Sequence, residues 1–386
     1  DCVVVGAGPA GSAAARAAAE DGADVLLMEK DWEIGVPLVC AEGVGAEGLL
    51  QYVELDPRWV ATRVEGAVFI SPGGRRARVD YPGAGYILER KLFDRDLAAM
   101  AAQAGARVEV GLEAVGMSRQ DGGTYRIEVR RGDRRGSVDA RIVIGADGYG
   151  SRVGRWAGVE TRVGRGEVHS CVQYLIGGAD VDEHYPEFAA GREVAPGGYA
   201  WVFAKGKGMA NVGVGVSPVA ARASALTYLE RFLDWRFPGA VRLERMVGGV
   251  PAAPLQRLVG HGLLLVGDAA RVADPISGAG IVNGLASGTM AGRVAAKALR
   301  EGDLSERGLR SYQDEWDRTI GRELRFRSRI REVFLKLTDG DFEAILDVGM
   351  KLFARGDVRS IDPYTIVKTI VTSSPRFLKI ARHLIQ

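Results

Sequence analysis

Cys2-Val3-Val4-Val5-Gly6-Ala7-Gly8-Pro9-Ala10-Gly11-Ser12 decides how this chain begins to fold. Four apolar residues closed by a glycine read as a buried parallel strand. The alanine-rich run 12–20 favours helix, and 23–28 is apolar again, ending at Glu29. Strand, helix, strand is the opening of a doubly wound sheet. The glycines fit G-x-G-x-x-G. Gly6 permits the tight turn, Gly8 lets backbone approach a pyrophosphate, and Gly11 lets helix and strand pack closely, with Ala10 in the same turn. The helix start offers N–H groups and a positive dipole end to phosphate. Glu29 is placed to accept hydrogen bonds from a ribose diol. In a chain with 53 glycines the pattern alone is weak; its strand–helix context and Glu29 make it a nucleotide site.

Outward from this start, 63–81 reads as a hairpin turning at Pro72-Gly73-Gly74, 92–104 as a helix and 107–110 as a strand. A meander is expected over 125–144, β-rich segments at 168–176 and 199–216, and one more apolar strand at 263–266. After about 305 the pattern turns helical. With 386 residues, 47% hydrophobic and 26% charged, the chain has room for two or three lobes. A net charge of +2, with arginines scattered among acids, excludes a global basic field for nucleic acid. Cys2, Cys40 and Cys171 are too few for a disulfide framework and favour a reducing compartment. No apolar run reaches the ~18–20 residues of a spanning helix; 276–299 is interrupted by Asn283, Arg293 and Lys297. The chain opens directly into a strand, so no signal peptide is expected and a cytoplasmic location is. No metal site is expected.

Two later segments bear on which nucleotide binds. Residues 142–148 end in Gly145-Ala146-Asp147-Gly148; residues 263–281 carry Gly267-Asp268-Ala269-Ala270, Pro275 and Gly278-Ala279-Gly280-Ile281. With the N-terminal fingerprint, in this order, they resemble the FAD-dependent para-hydroxybenzoate-hydroxylase-like superfamily. The resemblance implies FAD as cofactor. It implies that Asp268 bonds the ribityl chain and that Gly280 and Ile281 begin a helix facing the flavin pyrimidine. A helix N-terminus suits the negative charge of that end of reduced flavin. Leu88-Glu89-Arg90-Lys91-Leu92-Phe93-Asp94 also resembles the family, making Arg90 a pyrophosphate or ribityl ligand. Ala114 sits where the family passes backbone over the adenine. Asp147 is either a cofactor ligand or a structural Asp-Gly turn.

Pro37-Leu38-Val39-Cys40-Ala41-Glu42-Gly43 matches P-x-x-C-x-E-G, and Tyr199-Ala200-Trp201-Val202-Phe203 with Gly213-Val214-Gly215 matches most of Y-x-W-x-F-P plus G-x-G. Both resemble the geranylgeranyl reductases, and among them the archaeal digeranylgeranylglycerophospholipid reductases. Ala204 departs from the proline of the second motif. The resemblance implies a mixed α/β (α+β) fold: a Rossmann-type FAD-binding domain (1–59, 88–160, 250–304) interleaved with an antiparallel-sheet substrate domain (61–87, 161–249), and a C-terminal helical region (305–386). It implies an FAD-dependent reductase saturating isolated double bonds of geranylgeranyl lipids. Cys40, Ala41 and Gly43 then run along the flavin, and the Cys40 thiol either donates a proton or packs.

Tyr199, Trp201 and Phe203 share one strand face; they wall an apolar tunnel, form the core of the lobe, or both. Gly213 and Gly215 leave space for a ligand beside the sheet. Lys205 and Lys207 flank the turn and read as solvated turn residues, with a phosphate headgroup as the alternative partner. The electron donor is open between a ferredoxin, a deazaflavin, a quinol and NAD(P)H. Two other functions compete: a monooxygenase or hydroxylase of the same superfamily, and a non-catalytic prenyl-lipid carrier. The stripe of apolar and basic residues in 364–385 either packs on the protein or makes peripheral contact with the inner face of the membrane.

Overall fold

Strand Cys2–Val5 lies inside a six-stranded sheet, between parallel neighbours Val25–Met28 and Ile142–Gly145. Leu263–Leu265 continues one side and Arg107–Glu109 the other, both parallel, with Val259–Gly260 antiparallel at the edge. Every residue of the three central strands is buried, which is why they read as unbroken apolar runs. Helix Pro9–Glu20 packs against helix Ile281–Glu301 at backbone distance. A Cβ at Gly288 would lie 2.1 Å from the Ala10 carbonyl oxygen, and one at Gly292 2.3 Å from that of Ala14. The alanines and glycines of both helices are there for this approach. This computed structural model describes residues 1–353.

The second sheet has eight strands, in the order Val241–Pro251, Val168–Gly177, Met209–Val216, Tyr199–Gly206, Glu187–Ala189, Val60–Ile70, Arg76–Leu88 and Gly43–Gly45. All pairs are antiparallel except Glu187–Ala189 with Val60–Ile70. Its two faces differ. Ala200, Val202, Val212 and Val214 pack with Leu229, Phe232 and Leu233 of helix Ala225–Arg236. The opposite face carries Tyr199, Trp201 and Phe203 and meets the segment around Cys40.

The expected meander is cut short. Tyr125–Arg131 and Arg134–Ala140 pair with each other and with Glu113–Arg119 in a three-stranded sheet, but Ile142–Gly145 joins the parallel sheet instead. Tyr125–Arg131 alternates buried and exposed, whereas Ile142–Gly145 is buried on both faces. Helices Glu306–Trp316, Arg322–Phe334 and Asp339–Phe353 follow. The first is tied to the parallel sheet by Tyr312, whose hydroxyl donates to the Leu265 carbonyl at 2.7 Å. Among the described residues no helix is long and apolar enough to cross a membrane. The apolar and basic stripe of 364–385 lies outside the described residues.

Candidate functional site

The three fingerprint glycines divide their work. A Cβ at Gly6 (φ +103°) would stand 2.4 Å from the Ala146 carbonyl oxygen, and one at Gly11 1.8 Å from that of Gly6. At Gly8 nothing lies within 4 Å. Gly6 and Gly11 are bound by packing, and Gly8 opens onto free space at the start of helix Pro9–Glu20, which has no side-chain cap. Glu29 accepts from the Ala7 N–H at 2.9 Å and the Asp31 N–H at 3.1 Å, holding the fingerprint turn against the second strand. The Ala10 methyl faces Gly267 and Gly284, so Ala10 reaches the site through its backbone alone. Ala114 is buried, two residues past Leu112, whose N–H donates to the Glu29 carbonyl at 2.8 Å.

Asp268 sits in the turn Gly267–Ala270. A Cβ at Gly280 would lie 3.5 Å from its Oδ1, which puts the carboxylate beside the uncapped start of helix Ile281–Glu301. Burial pushes Asp268 up to about 6, against the pull of Arg90. Among the described residues its side chain has no hydrogen-bond partner. A half-buried acceptor of this kind, near two uncapped helix starts and an open glycine turn, fits a polyol phosphate ligand such as FAD. Arg90 stands at the start of helix Arg90–Gln103. Its Nε and Nη2 both donate to Asp94, each at 2.7 Å, so the guanidinium fork is filled from one turn further along its own helix. Only Nη1 is without a partner among the described residues. Asp147 Oδ2 accepts from the Val153 N–H at 3.0 Å, capping helix Arg152–Trp156, while its Oδ1 is buried without a partner.

The Cys40 loop is pinned from the eight-stranded sheet. The Cys40 carbonyl accepts from Gln173 Nε2 at 3.2 Å and that of Ala41 from Asn211 Nδ2 at 3.4 Å. The Cys40 sulfur accepts from the Glu42 N–H at 3.2 Å. Burial pushes the thiol up; the Arg90 charge and the Glu42 N–H oppose this. The thiol therefore keeps its proton at neutral pH. Glu42 has φ +74° and is buried. Its carboxylate accepts from the Arg90 N–H at 2.9 Å and Asn211 Nδ2 at 2.7 Å, and pairs with Lys205 at 2.8 Å. Lys205 thus contradicts its reading as a solvated turn residue: its side chain is 8% exposed. Lys207, two residues on, is exposed as expected.

The aromatic face corrects a second expectation. Tyr199 pairs with Gly215, Trp201 with Gly213 and Phe203 with Asn211. A Cβ at Gly213 would lie 2.3 Å from the Trp201 ring, and one at Gly215 3.2 Å from the Cys171 sulfur. The glycines make room for the indole and the thiol of this chain, so the space over them is filled. Similarly, a Cβ at Gly43 would stand 3.0 Å from the Phe203 ring. Trp201 Nε1 donates to Gln173 Oε1 at 2.7 Å, and the same Gln173 holds Cys40. Phe188 packs edge-on against Tyr199 and Phe203 and stacks with Phe69, which is 40% exposed. A row of rings therefore leads from the Cys40 loop to the surface. The Tyr199 hydroxyl donates to the Ser277 carbonyl, joining this row to the segment before Gly280. Burial pushes that hydroxyl up, and pushes Cys171 up to about 12.

Sequence reasoning gave no holding role to Gln173 or Asn211, quoted Glu42 only as a motif position and took Lys205 for a turn residue. The available signal was polar side chains inside otherwise apolar strands, since buried polar groups need partners. Among the described residues no cluster of three or more His, Cys, Asp or Glu is arranged to hold a metal.

Known proteins resemble the chain over its whole length. The sequence profile of FAD dependent oxidoreductases matches residues 1–196, and that of the geranylgeranyl reductase catalytic domain matches 167–250. A digeranylgeranylglycerophospholipid reductase of Methanothrix thermoacetophila is 42% identical, covering 100% of this chain and 99% of that protein. Digeranylgeranylglycerophospholipid reductase 2 of Methanococcoides burtonii is 44% identical over 89% of this chain and 86% of its own. The crystal structure of a geranylgeranyl bacteriochlorophyll reductase-like protein from Thermoplasma acidophilum superposes with a TM-score of 0.92 at 34% identity, covering 100% and 98% of the two chains.

Proposed function

The chain belongs to the geranylgeranyl reductases among FAD-dependent oxidoreductases, and from that premise we propose that it saturates the geranylgeranyl chains of digeranylgeranylglycerophospholipids. The observation that carries the proposal is the placement of the Cys40 loop: Gln173 donates to the Cys40 carbonyl and accepts from the Trp201 indole, at the inner end of a row of aromatic rings. Reduced FAD, when bound, supplies hydride to one alkene carbon. Cys40 gives the proton to the other carbon from its sulfur; the raised thiol is in the state this needs. Gly8 and Ala10 would meet the pyrophosphate through backbone at the turn that Gly6 and Gly11 shape, with Glu29 at the ribose and Asp268 at the ribityl hydroxyls. Arg90 Nη1 and the buried Asp147 Oδ1 are further polar contacts, and the backbone of Ala114 covers the adenine. Gly280 and Ile281 present helix N–H groups to the pyrimidine, while Ala41 and Gly43 carry the Cys40 loop along the ring system.

Tyr199, Trp201 and Phe203 hold water away and guide an apolar chain. Each CH₂ taken from water contributes ~0.8 kcal/mol, so a C20 chain is held without charged ligands. Electrons come from an external donor: a ferredoxin, a deazaflavin, a quinol or NAD(P)H. A lipid substrate calls for peripheral contact with the membrane surface. The test is anaerobic incubation of the reduced protein with geranylgeranylated phospholipid, read by mass spectrometry. Gains of one H₂ per double bond are expected; no saturation of any polyprenyl lipid overturns the proposal.

A further inference from the structure

We propose that Lys205, Glu42 and Asn211 are positioning residues that clamp the Cys40 loop and set where its thiol sits. The consequence for turnover rests on Cys40 being the proton donor; the clamp itself is read from this chain's contacts alone. Lys205 has three N–H donors and three acceptors. It reaches the Leu88 carbonyl at 2.6 Å, Glu42 Oε2 at 2.8 Å and Glu89 Oε2 at 3.1 Å. Glu42 Oε2 takes Asn211 as well, and Oε1 takes the Arg90 N–H. One buried carboxylate thereby joins strand Tyr199–Gly206, strand Met209–Val216 and the start of helix Arg90–Gln103 to its own loop. The backbone of Glu42 is tied too: its carbonyl accepts from the Leu88 N–H at 2.9 Å, and its N–H donates to the Cys40 sulfur.

The conformation of Glu42 argues that its side chain is what matters. A φ of +74° favours glycine, and a glutamate there bears backbone strain that its contacts must outweigh. The ion pair is buried with its remaining donors and acceptors filled, the condition under which such a pair holds one arrangement against others. Arg90, Glu42 and Asp94 are the charges that face the thiol. Lys205 balances Glu42, so its loss both frees the loop and leaves a bare negative charge near Cys40.

The experiment is alkylation of Cys40 by iodoacetamide, followed by peptide mass across pH 7 to 10 in the purified protein. Asn211→Leu keeps the ion pair but removes the bonds to Glu42 and Ala41. It is expected to raise the Cys40 rate at pH 8 about tenfold, because a freed loop exposes the thiol and lets more of it ionise. Lys205→Met is expected to raise the high-pH plateau and shift the midpoint to higher pH, and Lys205→Arg to restore both. In lipid saturation kcat falls about 10- to 100-fold with KM within about twofold. A folded Asn211→Leu protein that alkylates within about twofold of the parent overturns the clamp; should Lys205→Met not fold, this variant still decides. Faster alkylation with unchanged saturation keeps the clamp and removes Cys40 from the chemistry.

Discussion

The nucleotide half and the aromatic half of the site are built by opposite means. Around the fingerprint the chain uses backbone: two glycines packed to contact, a third left open, two helix starts without caps and one half-buried carboxylate. Around Cys40 it uses side chains from distant segments, Gln173, Asn211, Lys205 and Trp201, to hold one loop. Backbone sites depend on local spacing and tolerate little change at their glycines. Side-chain sites depend on register between strands, so their parts can be far apart in sequence. Substitution in the first half should therefore cost cofactor, and in the second half rate and stability.

The largest effect is expected from Asp268→Lys. A cation replaces a half-buried acceptor beside two helix N-termini, where the dipoles already favour negative charge. The purified protein should be colourless or nearly so; flavin absorbance at parent level would break the assignment. Cys40→Ala comes next and should keep its flavin. A general acid contributes ~10²–10⁴-fold, so saturation should slow by that factor. A loss below about threefold, with the fold intact, would leave Cys40 as a packing residue.

The acid side separates the halves further. His169 ends the aromatic face, buried, and accepts from Arg331 Nε at 3.1 Å. Burial, then the Arg331 charge, lower it to about 4. The folded state holds it neutral while the unfolded chain protonates it from its ordinary value of 6.5 downward. Stability from this group is thus complete above pH 6.5 and lost progressively as pH falls toward 4. At ~1.4 kcal/mol per pH unit the total is about 3 kcal/mol. Urea unfolding of the parent and of His169→Gln should show the parent losing that much more between pH 7 and 4. Parallel curves would show that His169 takes up its proton equally in the folded and unfolded chain, so that burial does not lower it.

How much of this was legible in the sequence follows from the same contrast. The βαβ start and Glu29 were readable because their geometry is local: a glycine that must turn is followed at once by the helix it starts; Asp268 entered only through the resemblance to the flavoprotein superfamily. The pairing of Tyr199, Trp201 and Phe203 with the glycine strand was readable because adjacent hairpin strands share a register. Lys205 was misread because its partners, Glu42 and Glu89, lie more than a hundred residues away and nothing near it announces burial. Arg90 was placed correctly at a helix start, but its fork closes on Asp94 one turn along, a choice between two nearby acceptors that spacing does not make.

Two glycines give the smallest and sharpest test of the comparison. Gly8 and Gly213 both stand in glycine motifs, yet a Cβ at Gly8 meets nothing within 4 Å and one at Gly213 would lie 2.3 Å from the Trp201 ring. Gly8 has φ −69°, which alanine adopts without strain. Gly8→Ala should leave the flavin-free protein as stable or up to about 1 kcal/mol more stable, through a less flexible unfolded chain. Its flavin should bind more weakly, because the methyl occupies the approach to the pyrophosphate. Gly213→Ala should do the reverse. The indole must move, its bond to Gln173 loosens, and overpacking of this kind costs about 1–3 kcal/mol. Flavin affinity should change little, since no part of the nucleotide half is touched. Thermal unfolding of the flavin-free forms and flavin titration of both variants measure the two signs. If both variants moved both quantities together, the halves would be one cooperative site and the division drawn between them would fail.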